Sequence, residues 1–280
     1  MENVRITKKE DIEYLQFEKL LEFKELTHAY TLKTHDIGFH RNKKEITEKS
    51  YEKLCKEFNI DRNKIIQLYQ KHTDNIIQAE ENTILNKNIN INASNKNIIN
   101  EEYLTNIKYI DGIISDKQNI GTLITTADCM PLFFYDPTKK VFANIHSGWR
   151  GTVKKIGIKA VMLMINKYGC KAENIICCIG PCIHKEKFLV NDDVTNIYLS
   201  QYREECRKHN IIEKTDFQNE KGTQYRIDNI ELYKVLLKQI GIIEKNIIDS
   251  EICTASNNLF HSRRAEGEKF NTNASFMMLK

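Results

Sequence analysis

Three short apolar runs in the middle of the chain constrain its fold more than any other feature. Residues 121–126 and 131–135 are rich in β-branched and aromatic side chains, which favour strands. Residues 136–140 (Asp-Pro-Thr-Lys-Lys) have a typical turn composition, and residues 141–145 form a returning apolar run. The second and third runs therefore predict an antiparallel hairpin, which disfavours a strictly alternating βαβ fold.

Helices are predicted on the C-terminal side of this hairpin, with strands interspersed among them. Residues 152–168 carry apolar side chains at the i, i+3 and i+4 spacing of an amphipathic helix. Thr152 is its expected N-cap, and Gly169 lies just past its end. Further elements are expected as helices over residues 192–209 and 229–240 and as strands over residues 175–179 and 247–253. A mixed α+β class follows.

The composition indicates one domain with a single unusual segment. Three prolines and eleven glycines in 280 residues leave little material for a flexible linker. Between residues 75 and 106 the chain becomes rich in asparagine, which is poor in both helices and strands. We predict an inserted loop or a weak hairpin there, with an edge strand as the alternative.

The charge distribution and the apolar runs narrow the classes of function. The net charge is +4, but 42 basic residues are interleaved with 38 acidic ones, so nucleic-acid binding is not indicated. The N-terminus lacks the apolar core of a secretory signal. Residues 175–183, the longest nearly apolar stretch, have about half the length of a membrane-spanning helix. We therefore expect a cytoplasmic protein without a membrane segment, in which the eight cysteines stay reduced.

Cys129 and His146 are expected to lie close together. Cys129 lies in Thr-Ala-Asp-Cys-Met-Pro (residues 126–131) between two predicted strands, and His146 directly follows the returning strand. In a hairpin whose turn lies near Thr138, positions 129 and 146 are at the same open end. Their side chains can therefore converge on one point.

A cysteine beside a histidine has two chemical interpretations. Cys129 could be a nucleophile activated by the imidazole base. Alternatively, both could be ligands of a catalytic zinc ion, which has three protein ligands and one open position. His72, which follows an apolar run at residues 65–69, is the candidate third ligand, because two imidazoles and one thiolate suit zinc. From the residues alone, a buried structural cysteine is the more common case.

Three sequence blocks resemble the signature of the YfiH-like, laccase-domain family. The blocks are residues 126–129 (Thr-Ala-Asp-Cys), 144–151 (Asn-Ile-His-Ser-Gly-Trp-Arg-Gly) and 179–183 (Ile-Gly-Pro-Cys-Ile). Members of this family are catalogued as multicopper polyphenol oxidases and are regarded as zinc-dependent purine nucleoside phosphorylases. The resemblance implies an N-terminal extension over residues 1–26 and one catalytic domain over residues 27–280, with the insertion at about residues 75–106.

The resemblance also implies a fold, a cofactor and a set of site residues. The implied fold is a single layered α+β domain, α/β/β/α, with two mixed sheets between helices. The implied metal is zinc, with copper as a substitute, and the implied substrates are a purine nucleoside and phosphate. By motif, the metal ligands fall on His72, Cys129 and His146, the catalytic residues on Cys129, Asp111 and Arg150, and the substrate-binding residues on Lys33, Arg263 and Arg264.

The activities implied by the resemblance are phosphorolysis of adenosine, inosine and methylthioadenosine, with some adenosine deamination. The chain departs from the family pattern at the substrate-facing rim. Residues 29–34 offer Lys33 but lack the double glycine that the family often carries, and Gly-Glu-Lys at residues 267–269 replaces the expected Gly-Arg. The metal-ligand motifs are intact.

Three competing functions remain open at this point. A true multicopper laccase is disfavoured, because the chain has eight histidines and no His-x-His pair. A metal-free cysteine hydrolase would use Cys129 as the nucleophile and His146 as the base, and an amidase acting on peptidoglycan precursors is a related alternative. A zinc-stabilised binding protein is the non-enzymatic alternative.

Overall fold

A computed structural model describes residues 2–40, 42–79 and 109–280. In chain order, its strands are β1 (Val4–Lys8), β2 (Glu13–Phe17), β3 (Leu26–Thr31), β4 (Ile65–Gln67), β5 (Ile76–Gln78), β6 (Gly112–Ser115), β7 (Gly121–Thr126), β8 (Met130–Asp136), β9 (Val141–Ser147), β10 (Ile176–Ile179), β11 (Leu189–Val190), β12 (Ile212–Asn219), β13 (Gly222–Ile227), β14 (Ile247–Asp249) and β15 (Asn273–Leu279). Its α-helices are α1 (Glu18–Leu21), α2 (Lys44–Phe58), α3 (Trp149–Val153), α4 (Ile156–Tyr168), α5 (Asp192–Lys208), α6 (Asn229–Gln239) and α7 (Arg263–Glu266).

The first sheet contains both ends of the described chain. Its six strands run in the order β1-β2-β3-β15-β7-β4. β15 pairs antiparallel with β3 and β7, while β4 is parallel to β7. Residues 1–26 were assigned to an N-terminal extension, and within them β2 pairs with β3 while β1 pairs with β2. The described part of this extension is therefore built into the sheet.

The second sheet contains the predicted hairpin. Its six strands run in the order β14-β10-β8-β9-β6-β5. The antiparallel pairing of β8 with β9 places Met130 opposite Ser147 and Asp136 opposite Val141, so the hairpin prediction is confirmed. At one edge, β5 runs parallel to β6. Residues 76–78 of the predicted insertion thus form an edge strand, and its residues 80–106 lie outside the described residues.

The two sheets pack face to face through an aromatic core. Phe133 and Tyr135 of β8 pack with Phe17, Tyr30 and Met277 of the first sheet, and all five side chains are buried. Because successive side chains of a strand point to opposite faces, the alternate residues of β8 must face the other side. Burial on both faces explains why β8 reads as a continuous apolar run.

Helices cover the outer faces of both sheets. Leu132 and Phe134 of β8 pack with Ile156 of α4 and Tyr233 of α6 in one buried cluster. On the outer face of the first sheet, Tyr51 of α2 belongs to a cluster with side chains of β7 and β15. The layers therefore follow the order α/β/β/α, and the predicted α+β fold class is confirmed.

A smaller three-stranded sheet was not predicted from the sequence. Its strands run in the order β11-β13-β12 and are all antiparallel. The eight residues of β12 are mostly polar, and none of them is fully buried. Hydrophobic periodicity therefore carries no signal for this hairpin.

The helix predicted over residues 152–168 is divided in the structure. The chain enters α3 at Trp149, and Lys155, with a φ of 61°, separates it from α4. The prediction of Thr152 as an N-cap is wrong, because its hydroxyl donates to the Gly148 carbonyl from within α3. Gly169 ends α4 with a φ of 66°, as predicted.

The remaining elements agree with the predictions to within a few residues, except the late strand. β14 covers only residues 247–249 of the predicted run 247–253, and Glu251 adopts a φ of 57°, which is incompatible with an extended strand. Within the described residues, no helix has both the length and the apolar character needed to cross a lipid bilayer.

Candidate metal centre and its cleft

The three predicted ligands meet at one end of the two sheets. Cys129 directly precedes β8, His146 lies near the end of β9, and His72 lies in the connection between β4 and β5. The candidate ligand atoms of the three residues all lie within 4.8 Å of one another. The Cys129 Sγ is 3.6 Å from His72 Nε2, and the two imidazole rings are 5.0 Å apart between centroids. The structure therefore brings together two imidazoles and one thiol from distant parts of the chain.

A single buried carboxylate organises the loop that carries His72. Asp111 is fully buried and accepts backbone N–H bonds from Lys71, His72 and Thr73 at 3.2, 3.0 and 2.7 Å. It also accepts a bond from the Thr73 hydroxyl at 2.6 Å. His72 has a φ of 60°, a conformation that is unusual for a non-glycine residue. The wrapping of this loop around Asp111 keeps His72 in that conformation.

The same carboxylate orients the second imidazole. His146 Nδ1 lies 2.7 Å from Asp111 Oδ1, so this nitrogen carries the proton and Nε2 is left to act as a ligand. Burial alone would raise the pKa of Asp111, but its bonds with His146 and Thr73 lower that pKa to about 2. Because both oxygens of Asp111 are engaged, its contacts suit a positioning role behind the ligands.

The thiol of Cys129 differs from the other buried thiols. Burial would raise its pKa, but the nearby imidazoles of His146 and His72 outweigh this effect and lower the pKa to about 6. Burial raises the pKa of Cys177, Cys178 and Cys182 instead. Cys129 is therefore poised to exist as a thiolate, which is the form that binds a metal or attacks a substrate.

Gly148 leaves the space that this cluster needs. A Cβ atom at this position would lie 2.6 Å from His72 Cδ2 and 3.0 Å from Cys129 Sγ. Its φ of −74° is accessible to any residue, so the requirement for glycine is steric. The glycine of His-Ser-Gly-Trp is thus part of the site, although sequence reasoning assigned it no role.

The cluster opens into a large cleft. Its volume is about 1190 Å³, and it is lined by ends of both sheets, the start of α2, α3 and α7. The basic side chains along its described lining are Lys44, Lys71, Arg150, Arg263 and Arg264, against the carboxylates Glu48 and Asp128. The aromatic side chains along it are Phe39, Tyr69, Trp149, Phe188 and Phe270. The cleft therefore offers a positive lining and several flat apolar surfaces.

Each predicted arginine lines this cleft beside other groups. The Arg150 guanidinium lies 4.2 Å from the centroid of the Trp149 ring, and that of Arg263 lies 5.5 Å from the Phe270 ring. Arg264 donates from its side chain to the carbonyl of Lys187. All three arginines are exposed, so their charges are accessible to a ligand in the cleft.

The predicted substrate-binding residue Lys33 and the histidines His28 and His184 do not line the cleft. The ammonium group of Lys33 is 3.2 Å from Glu266 Oε1. His28 is buried beside Phe133, where its Nε2 accepts from the Phe17 backbone at 2.8 Å. The structure thus does not bring Lys33 to the metal ligands.

Two further polar residues, Gln70 and Asp128, support the site. The side-chain amide of Gln70 pairs with both the N–H and the carbonyl of Thr125, at 2.7 and 2.8 Å, which ties the His72 loop to β7. Asp128, whose φ is 86°, accepts bonds from Thr254, Ser262 and the Arg264 amide. No sequence pattern identifies these two side chains, because their partners lie at distant positions.

The fold and the site define a class of protein: a two-sheet α+β chain with a cluster of two histidines and one cysteine that could hold a metal ion, open to a basic cleft. The sequence profile described as "Multi-copper polyphenol oxidoreductase laccase" matches residues 27–280. The chain belongs to this family, which confirms the resemblance inferred from its motifs.

Curated relatives in this family carry the name of one enzyme. The chain is 33% identical over 180 residues to "Purine nucleoside phosphorylase YlmD" of Bacillus subtilis, a match that spans 64% of this chain and 62% of the relative. It is 29% identical over 175 residues to "Purine nucleoside phosphorylase LACC1" of Mus musculus, spanning 61% of this chain and 38% of that protein. These matches cover less than two thirds of the relatives' lengths.

Solved structures share the fold over nearly the whole chain. The protein YfiH of Bacillus licheniformis superposes with a TM-score of 0.79 at 23% identity, covering 98% of this chain and 99% of that one. YlmD of Geobacillus stearothermophilus superposes with a TM-score of 0.76 at 18% identity, covering 98% of each. The two-sheet architecture is therefore that of these proteins.

Proposed function

We propose that this protein is a zinc-dependent purine nucleoside phosphorylase that acts on adenosine, inosine and methylthioadenosine. The observation that carries the proposal is the convergence of His72, Cys129 and His146 at the floor of a basic cleft. The names of the curated relatives support the same activity. Adenosine deamination is a second reaction proposed for the same site.

The residues at the site fit a zinc ion. Two imidazoles and one thiolate form a donor set that zinc accepts, with a fourth position left for another ligand. The cleft side of the cluster is kept open by Gly148, where a Cβ would collide with two of the three ligands. Copper also binds such donors and is a plausible substitute. A zinc ion held by these three residues would supply a Lewis acid.

The cleft supplies the groups that phosphorolysis requires. In this reaction a phosphate oxygen forms a bond to C1′ of the ribose, the C1′–N9 bond breaks, and its electron pair leaves with the purine, which is then protonated. The positive charge that holds the phosphate comes from Arg150, Arg263 and Arg264, because one guanidinium group can donate two parallel hydrogen bonds to phosphate oxygens. Trp149 and Phe270 offer aromatic faces for the purine.

A second candidate function rests on one specific observation. Cys129, His146 and Asp111 are arranged in series as thiol, imidazole and carboxylate, which is also the arrangement of a cysteine hydrolase. In that case Cys129 would attack a carbonyl carbon and His146 would accept its proton. Muramyl-peptide amides are the substrates to test for this alternative.

The phosphorylase and the hydrolase differ in the zinc content that they predict for the purified protein and in their need for phosphate. We expect about one zinc ion per chain and release of adenine or hypoxanthine only when phosphate is present. Cys129→Ala should remove the metal and lower this activity by at least about a hundredfold. Cys55→Ala, in α2 and remote from the ligand cluster, is the matched control and should retain both.

Three outcomes would contradict the proposal in different ways. Retention of zinc and activity by Cys129→Ala would refute the ligand assignment. Iodoacetamide-sensitive amide hydrolysis by metal-free protein would favour the hydrolase. Inosine formation from adenosine without phosphate would assign deamination as the main reaction.

A further inference from the structure

Asp128 connects the metal centre to the arginine-bearing segment of the cleft. It directly precedes Cys129 in the chain, and its φ of 86° lies in a region that side-chain-bearing residues rarely adopt. Its carbonyl oxygen accepts from the Ile183 amide at 2.9 Å. Strained residues of this kind persist only where surrounding contacts hold them in place. The contacts of the Asp128 side chain are therefore informative.

Both carboxylate oxygens of Asp128 are used by the C-terminal part of the chain. Oδ1 accepts from the hydroxyls of Thr254 and Ser262 at 2.7 and 2.6 Å. Oδ2 accepts from the backbone N–H of Arg264 at 2.7 Å. These are short, charge-assisted bonds, which are stronger than those between neutral groups. A carboxylate so engaged holds a loop in place and is poorly suited to carry a proton in the reaction.

The segment that Asp128 holds is also supported by the Arg264 side chain, which donates to the Lys187 carbonyl. Helix α7 is four residues long, and none of its residues is buried. Its far end is anchored through Glu266, which contacts His261 and Lys33. At its near end, the backbone N–H of Arg264 donates to Asp128, which lies between β7 and the candidate ligand Cys129. The position of the arginines relative to Cys129 therefore depends on this carboxylate.

We propose that Asp128 is a positioning residue that sets the affinity for phosphate without contacting it. Asp128 is the neighbour of the candidate ligand Cys129 in the chain, and it binds the backbone N–H of Arg264. It thereby keeps the guanidinium groups of residues 263 and 264 at a constant distance from the candidate metal centre. The inference rests on the proposed function, because it assigns phosphate to these arginines. It predicts that a change at the Asp128 carboxylate alters the affinity for phosphate, although the two groups are not in contact.

The variant Asp128→Gly isolates this role. Glycine adopts a positive φ without strain and removes both oxygens that accept from Thr254, Ser262 and the Arg264 N–H. We expect hydrogen exchange of the Arg264 amide to accelerate by about tenfold or more, as loss of a bond to a charged group implies. The KM for phosphate should rise by about tenfold, while zinc content, kcat and the KM for the nucleoside stay within about twofold of wild type.

Three further variants keep the test decisive. Asp74→Asn, a carboxylate two residues from His72 that pairs with Lys154 and Lys159 on the surface, is the matched control and should change neither the exchange rate nor the phosphate KM. If Asp128→Gly does not fold, Asp128→Ala removes the same two acceptor oxygens, and the same two changes are expected. Asp128→Asn should change less, because its amide oxygen can still accept from the Arg264 N–H while its NH₂ donates to the two hydroxyl oxygens.

The exchange measurement separates this inference from the proposed function. An unchanged Arg264 exchange rate in a folded Asp128 variant overturns the positioning role, whatever the enzyme does. Faster exchange with an unchanged phosphate KM, in an enzyme that is active on nucleosides, overturns the link to phosphate. A wild-type protein that releases no base with phosphate refutes the proposed function and with it the phosphate role, while the exchange rates still report on the anchor.

Discussion

The two sides of the cleft are built in different ways. On the side of the candidate ligands, His146 is 4% exposed and Asp111 is 0% exposed, and the exposed His72 lies on a loop whose amides bond to Asp111. On the arginine side, the guanidinium groups are exposed and belong to short helices. The comparison teaches that the core fixes His146 and Asp111, whereas individual side-chain bonds place the arginines.

The largest effect is expected from a methyl group added at Gly148, beside the candidate ligands His72 and Cys129. In Gly148→Ala, the new Cβ would lie under 3.0 Å from His72 Cδ2, and the backbone of His72 is held by its bond to Asp111. Displacement of catalytic groups by about 1 Å can cost about a hundredfold in rate. We therefore expect Gly148→Ala to lose most of its zinc, measured by metal analysis, and at least about a hundredfold of its activity.

A neighbouring glycine provides the control for this change. At Gly151, within α3, a Cβ would meet its nearest atom, Ile156 Cγ2, at 3.2 Å and would point at no metal ligand. Gly151→Ala should keep its zinc content. If Gly148→Ala binds zinc as well as this control does, the metal side is more adaptable than the buried strands suggest.

The next largest effect is expected at the carboxylate behind the ligands. Asp111→Asn would place an NH₂ group where one of the carboxylate oxygens now accepts, opposite either the Thr73 and Lys71 amides or His146 Nδ1. Loss of such an orienting partner typically lowers metal affinity by about 10–100-fold. The dissociation constant for zinc, measured by chelator competition, should rise by that factor.

A second fully buried carboxylate separates metal positioning from simple destabilisation. Asp136 accepts from the turn amides of Thr138 and Lys139, at the opposite end of the β8–β9 hairpin. Asp136→Asn should lower the free energy of unfolding by about 1–3 kcal/mol and leave the zinc affinity unchanged. Equal zinc affinities in the two variants would show that Asp111 stabilises the fold without orienting the ligands.

The same contrast explains what the sequence could predict. The β8–β9 hairpin follows from local patterning, and its turn places residues 129 and 146 at one end, so their proximity is a local inference. His72 joins them through the pairing of β4 with β7, a long-range contact that no periodicity encodes. It was a candidate because it follows an apolar run and suits zinc, and the family resemblance implied the same assignment.

The positions of the cleft arginines could not be predicted from such patterns. Exposed side chains at loop ends are placed by individual bonds, such as that between Asp128 and Arg264, whose partners are 136 residues apart. The three-stranded sheet was missed for a related reason, because β12 buries too little apolar surface to show alternation. Sequence reasoning is therefore strongest where the hydrophobic core determines position.

The smallest effect is expected at Lys33, and it tests whether the proposed phosphate site extends to this residue. Lys33 is implied by the family resemblance as a substrate-binding residue, but it pairs with Glu266 outside the cleft. We expect Lys33→Met to leave the phosphate KM within about twofold of wild type and to lower the free energy of unfolding by no more than about 1 kcal/mol, as for a partly exposed ion pair. Arg150→Met, at the cleft lining, is the comparator and should raise the phosphate KM by about tenfold. A tenfold rise in both variants would mean that the ion pair with Glu266 opens on binding and that the anion site extends to Lys33.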